Sequence, residues 1–180
     1  MAILSNRYGA AREEAQSYVE SILGLLGDRD PLAVLAELPA EVESALAGLP
    51  EGLLRQPEAP GKWSLVEVVQ HLADAELVWG WRLRLVLAHD RPALTGYDQD
   101  AWAQRLRYAA APLDDALDQL RVLRRIHLRM VRALSAEQRA RVGVHSERGE
   151  ESVEHMMRLY AGHDLAHRRQ LRRIRAALGA

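Results

Sequence analysis

Cysteine is absent from this chain of 180 residues. Disulfides and thiolate metal ligands are therefore excluded, and any sulfur nucleophile has to arrive with another molecule. Lysine is almost absent: Lys62 stands alone among basic residues that are otherwise arginine, a bias that reads as codon usage rather than function. No apolar run approaches the ~18 residues of a membrane span. The opening "MAILSNRYGAAREE" holds no apolar core of signal-peptide length. A soluble cytoplasmic protein without a membrane partner is expected. Also missing are an alternating strand pattern, an internal repeat and a low-complexity linker.

The net charge of −1 is unevenly distributed. Residues 1–60 carry 4 basic and 10 acidic groups, whereas residues 151–180 carry 6 and 3. The basic "HRRQLRRIR" near the C-terminus suits the negative end of a helix dipole and a solvated face. The whole chain has no electrostatic footprint for nucleic acid, so no such partner is expected.

Apolar residues recur at three- and four-residue intervals, the period of helices packed on one side. A first helix is expected over about 10–26, stopped by Gly27. Asp30 can cap a second, with Pro31 at its first position and a kink or restart at Pro39, ending near Leu49. The segment "PEGLLRQPEAPGK" reads as a loop. Ser64 and Glu67 then form a capping box, with Trp63 and Val68 as its hydrophobic staple, opening a helix over about 65–88. A short helix is expected around 100–107. Another long one begins near Pro112, with Leu113, Leu117, Leu120, Leu123, Val131 and Leu134 on its inner face. "VGVHSERGEE" reads as a polar loop before a last helix from Glu151 or Ser152 to about Leu178. The fold class is all-α: a four-helix bundle over 30–180, preceded by a helical extension over 1–29.

Within "YAGHDLAHRRQL", His163 and His167 stand four positions apart, ~6 Å along a helix and on one face. Met156, Leu159, Tyr160, Gln170 and Ile174 share that face, while Arg168, Arg172 and Arg175 lie opposite. Two imidazoles turned inward need partners, and one divalent cation satisfies both. The spelling "HDLAH" is close to the His-Glu-x-x-His of zinc proteases, but residues 168–180 contain no histidine or carboxylate to complete that site. A third ligand must lie upstream. His71 shares a stripe with Ala75, Val78 and Leu85, which turns it inward too; a core histidine bonded to a carbonyl is the plain alternative. His127 falls on an apolar face and reads as a fourth ligand, a catalytic base or a satisfied core residue. His89 and His145 read as solvated loop residues, and His155 lies off the stripe.

The stretches "APGKWSLVEVVQHLADAE", "LTGYDQDAWAQ" and "AGHDLAHRRQL" resemble the DinB-like (YfiT-like) superfamily of metal-dependent enzymes over roughly residues 30–178. The resemblance implies an up-down-down-up bundle and a divalent metal held by His71, His163 and His167. Ala166 departs from the family, where many members carry a further histidine. Members with known activity transfer bacillithiol or related low-molecular-weight thiols to electrophiles, and one branch isomerises maleylpyruvate with mycothiol.

Three neutral imidazoles leave coordination positions open, as in catalytic sites, and suit zinc, nickel or another late first-row ion. Binding should weaken below pH ~6.5, where protons compete for imidazole. A small-molecule substrate is expected, with a thiol as cosubstrate; hydrolysis and a structural metal are the alternatives. Asp74 is placed to orient a ligand, or to be a solvated charge. Tyr160 is placed to meet bound substrate, or to serve as a core aromatic. Tyr97 and Trp102 are placed to rim a pocket at the bundle mouth or to pack in the core, and Arg82 to meet an anionic substrate or an inward ion pair. The exposed faces of such a bundle allow a homodimer.

Overall fold

The computed structural model describes Gly9 and residues 12–179. Helix α1 spans Arg12–Leu26, so the part of its expected start at residues 10 and 11 lies outside the described residues. Four long helices follow: α2 (Pro31–Leu46), α4 (Leu65–Ala88), α6 (Leu113–Arg132) and α8 (Val153–Ala177). Between them lie the short helices α3 (Glu51–Leu54), α5 (Gln99–Arg105) and α7 (Ala136–Ala140). None of the described helices is long and apolar enough to cross a membrane.

The helix starts are set locally. The Asp30 carboxylate accepts from Leu32 N at 3.0 Å with Pro31 at the first position of α2. At α4, Ser64 Oγ accepts from Glu67 N at 3.3 Å, and Glu67 Oε2 accepts from Ser64 N at 2.8 Å. Such a cap contributes about 1 kcal/mol. Ser152 caps α8 through His155 N. Helix α2 runs through Pro39 without a break. Proline has no N–H for the carbonyl four residues back, and Arg124 of α6 donates to that freed Leu35 carbonyl at 2.6 Å. "PEGLLRQPEAPGK", expected as loop, contains the single turn α3.

Pairings between helices fix their directions. Gln70 reaches Pro112 O, Gln119 reaches Ala73 O, and Glu76 binds Arg124, so α4 and α6 run parallel. Arg168 with Glu37 and Arg172 with Glu41 make α2 and α8 parallel. The contacts of His71 with His167 and of Trp79 with Tyr160 make α4 and α8 antiparallel. The bundle is up-down-down-up. Parallel neighbours α4 and α6 need a long return, and residues 89–112 supply it.

A small sheet, built from that return and from the segment just before α8, is added to the helical bundle. Three strands form one sheet in the order β1 (Ala93–Leu94), β2 (Val142–His145), β3 (Gly149–Ser152). β1 pairs parallel to β2, with Leu94 opposite His145, and β2 pairs antiparallel to β3, with Gly143 opposite Glu151. The segment expected as a polar loop is a hairpin. Its buried positions are Gly143, His145 and Glu151, so the alternation is real but carries no apolar signal.

Two apolar clusters fill the bundle. One gathers Leu38, Val42, Leu65, Val69, Leu72, Leu120 and Ile174; the other gathers Leu35, Trp79, Leu83, Val86, Val131, Met157 and Leu165. Buried among and between these apolar residues lie His71, Glu76, Arg124, His127, Asp164, His167 and Gln170. The inner line of α6 follows Ala116, Leu120, Arg124, His127 and Val131. It is rotated from the expected leucine stripe, and Leu117 and Leu123 are only half-buried. Helix α1 crosses α8 at Gly162, where a Cβ would stand 2.3 Å from Ile22 O. Only glycine permits that approach.

Candidate metal centre and its cavity

His71 lies two turns into α4, and His163 and His167 lie one turn apart on α8. Their side chains meet. His163 Nε2 stands 3.2 Å from His71 Nε2 and 3.1 Å from His167 Nε2. Ligand nitrogens ~2.05 Å from one ion at tetrahedral angles stand about 3.3 Å apart, so both of these spacings fit a shared ion, and all three ligand atoms lie within 4.8 Å of one another. His71 and His167 are 1 % and 5 % exposed, while the His163 side chain keeps 14 %.

Hydrogen bonding alone does not explain this meeting. Gln170 Oε1 can only accept, so His167 Nδ1 donates to it at 2.8 Å and His167 Nε2 presents a lone pair. One hydrogen on His163 Nε2 serves one neighbouring ring, not both. The Nδ1 atoms of His71 and His163 are buried without a protein partner. A cation satisfies all three Nε2 atoms together. Burial holds His71 and His167 well below the usual histidine range, with the His163 ring adding to both shifts.

This carries a stability prediction for the metal-free protein. An unfolded histidine takes up a proton as pH falls through ~6.5, whereas the folded His71 and His167 resist protonation. The unfolded state therefore binds more protons below that pH, and stability is lost as pH falls. The urea midpoint of chelator-treated protein should stay level from pH 8 to about 7, then drop between ~6.5 and ~5, before ordinary carboxylates titrate. A level midpoint across the lower window would contradict the burial of neutral rings.

His127 is not brought to the triad. An arginine N–H only donates, so His127 Nε2 accepts from Arg84 Nη1 at 3.1 Å, and Nδ1 donates to Glu76 Oε1 at 2.7 Å. Gly80 makes room for the ring, since a Cβ there would meet His127 Nε2 at 2.0 Å. Arg124 joins Glu76 at 2.8 Å and Asp164 at 2.5 Å. Burial opposes its charge, but the Asp164 and Glu76 carboxylates outweigh that and hold it above the usual arginine range.

Asp74, expected to orient a ligand, instead accepts a short hydrogen bond from Tyr108. The ring seated against His71 is Trp63, at 5.1 Å between centroids. Tyr160 stacks on Trp79 at 4.5 Å and 6°, and on His163 at 5.5 Å and 13°. These rings line a cavity of ≈ 100 Å³ that reaches His71 and His163. Arg82 and Tyr97 line it too, as does Tyr18 of α1. Trp102 does not; it packs on Tyr97 at 4.6 Å. His89 is exposed as expected. His145, expected in solvent, is 2 % exposed and lines the cavity with Arg148 and Glu151. Sequence reasoning missed those three because the hairpin carrying them reads as loop.

The fold and this site define a class: an up-down-down-up bundle with a three-histidine cluster able to hold a metal ion. The chain belongs to the DinB superfamily, whose sequence profile matches residues 35–171. It is 30 % identical over 140 residues to YfiT of Bacillus subtilis, named by inference a metal-dependent hydrolase, covering 76 % of this chain and 77 % of that one. A Geobacillus thermodenitrificans protein with the same inferred naming is 30 % identical over 105 residues, 58 % of this chain and 57 % of its own length. The solved structure of B. subtilis YfiT, described as having an unusual four-helix bundle topology, superposes with a TM-score of 0.71 at 25 % identity, covering 94 % of this chain and 91 % of that one.

Proposed function

We propose that this chain is a metal-dependent enzyme in which His71, His163 and His167 hold a divalent late first-row ion, zinc or nickel, and that it transfers a low-molecular-weight thiol to an electrophilic small molecule. The observation that carries the metal is the meeting of three Nε2 atoms that no hydrogen-bond arrangement satisfies. A divalent cation there lowers the pKa of a coordinated thiol or water, supplying a nucleophile near neutral pH. Gln170 fixes the tautomer and tilt of His167. The stack of Trp79, Tyr160 and His163 gives the cavity a stiff apolar wall.

Hydrolysis is the second reading, favoured by the naming of the relatives. Water attack draws on a nearby base to take a proton and pass it to the leaving group. The one carboxylate lining the cavity is Glu151, whose two oxygens accept from Arg148 at 2.5 and 2.9 Å. A thiol is acidic enough to need no such base, and the absence of cysteine fits a thiol brought in as cosubstrate. Metal-loaded protein incubated with a bacterial thiol and monochlorobimane tests the reading. The expected result is thioether formation that requires both thiol and metal. Metal-dependent ester cleavage without any thiol-dependent product would replace transfer with hydrolysis.

A further inference from the structure

Six buried side-chain atoms have no hydrogen-bond partner among the described residues: His71 Nδ1, Trp79 Nε1, Arg82 Nε, His145 Nε2, Tyr160 Oη and His163 Nδ1. Every one belongs to a residue that lines the cavity beside the histidines. Isolated orphans scattered through a core would mark packing faults; six around one hollow mark a site, because each buried unpaired group costs stability.

Four of the six have a hydrogen to donate. Trp79 Nε1 and Arg82 Nε can only donate. His145 Nδ1 accepts from Glu147 N at 3.2 Å, so its Nε2 carries the hydrogen and donates as well. The buried Tyr160 hydroxyl has a hydrogen to donate and no protein acceptor among the described residues. The cavity wall is thus rich in donors and poor in acceptors. It is also positive. Arg148 is neutralised by Glu151, whereas Arg82 meets no carboxylate among the described residues and gives only one Nη2 bond, to Thr95 O at 2.5 Å. Burial and the neighbouring Arg148 pull Arg82 down to about 10, which leaves it cationic at neutral pH.

We propose that this cavity is a carboxylate subsite: Arg82, with Trp79, His145 and Tyr160, receives the carboxylate of a small-molecule substrate while the remainder of that molecule points toward His71 and His163. The volume of ≈ 100 Å³ is below the ~150 Å³ that admits benzene, so it takes an acid group on a short chain, one end of a ligand. The rigid ring stack runs from Trp79 through Tyr160 to His163 and sets the span between the anchored end and the reacting end. The inference deepens the proposed function by naming a substrate class, and rests on it only for what happens at the far end.

Propionate and its neutral isostere propionamide test the subsite in metal-free full-length protein, where direct coordination plays no part. The readout is the indole N–H resonance of Trp79, assigned with Trp79→Phe. Propionate should shift it saturably, and propionamide should not. Arg82→Met should weaken propionate binding by at least about ten-fold, the loss of one charge-assisted bond. Arg82→Lys, which keeps the charge but not the fork, should fall between the two and guards against a folding defect in Arg82→Met. Equal responses to propionate and propionamide, or unchanged affinity in both Arg82 variants, would overturn the subsite. Because no metal is present, that outcome leaves the metal centre standing; propionate binding in a protein that takes up no metal would sink the metal centre alone.

Discussion

Replacing His163 by alanine should strip the protein of metal: after dialysis against a weakly chelating buffer, elemental analysis should find about one divalent ion per chain in the parent and almost none in the variant. His71→Ala and His167→Ala should behave alike, because each brings an Nε2 atom to within 3.2 Å of His163 Nε2 in the same cluster. Loss of an outer partner of a metal-bound histidine costs 10- to 100-fold in affinity, so loss of the ligand itself should exceed roughly 100-fold. Gln170→Ala, which removes only the acceptor for His167 Nδ1, should fall in that smaller range. His155→Ala serves as the control: it alters a half-buried histidine on the same helix and should leave the metal content at the parent level. Unchanged metal in all three ligand variants would end the assignment.

That site was legible because helical periodicity converts spacing into direction. His163 and His167 fall on the face that carries Met156, Leu159 and Ile174, and the structure buries all three of those apolar residues. His71 could be placed because the capping box pins the start of α4, and the expected span of 65–88 is the observed one. The hairpin and its parallel partner offered no such handle. Strands of two and four residues are too short for a period to register, and the pairing of Leu94 with His145 spans fifty-one positions. With the sheet unseen, His145 read as solvated, and its place in the donor wall of the cavity went unnoticed. Arg124 was hidden for a different reason. An arginine on a helix reads as surface unless its partners are known, and these come from three other helices: Leu35 on α2, Glu76 on α4 and Asp164 on α8. Even Pro39 misled, since the carbonyl it frees looked like a kink rather than a receptor for that guanidinium.

Arg124→Met should be the most destabilising single change in the bundle. The guanidinium is 1 % exposed and holds Glu76 through Nη2, Asp164 through Nη1 and Nη2, and Leu35 O through Nη1. Methionine fills similar volume, so the loss is electrostatic: two wholly buried carboxylates lose their cation. Removing one partner of a buried pair costs about 3–5 kcal/mol, against a total of about 5–15 kcal/mol for a domain. The urea midpoint should fall by a large fraction of its parent value with little change in slope. The local character of the damage can be checked with Arg124→Met combined with Asp164→Leu. Removing one orphaned carboxylate should restore part of the midpoint, so the double variant should be more stable than Arg124→Met alone. Additive losses would mean that shape, and not charge, holds this layer together. Asp164 lies between His163 and His167 on α8, and the Arg124 guanidinium lies 5.5 Å from the Tyr160 ring. The same guanidinium that joins the four long helices, by ion pairs to α4 and α8 and a hydrogen bond to α2, therefore fixes the segment that presents two of the three imidazoles.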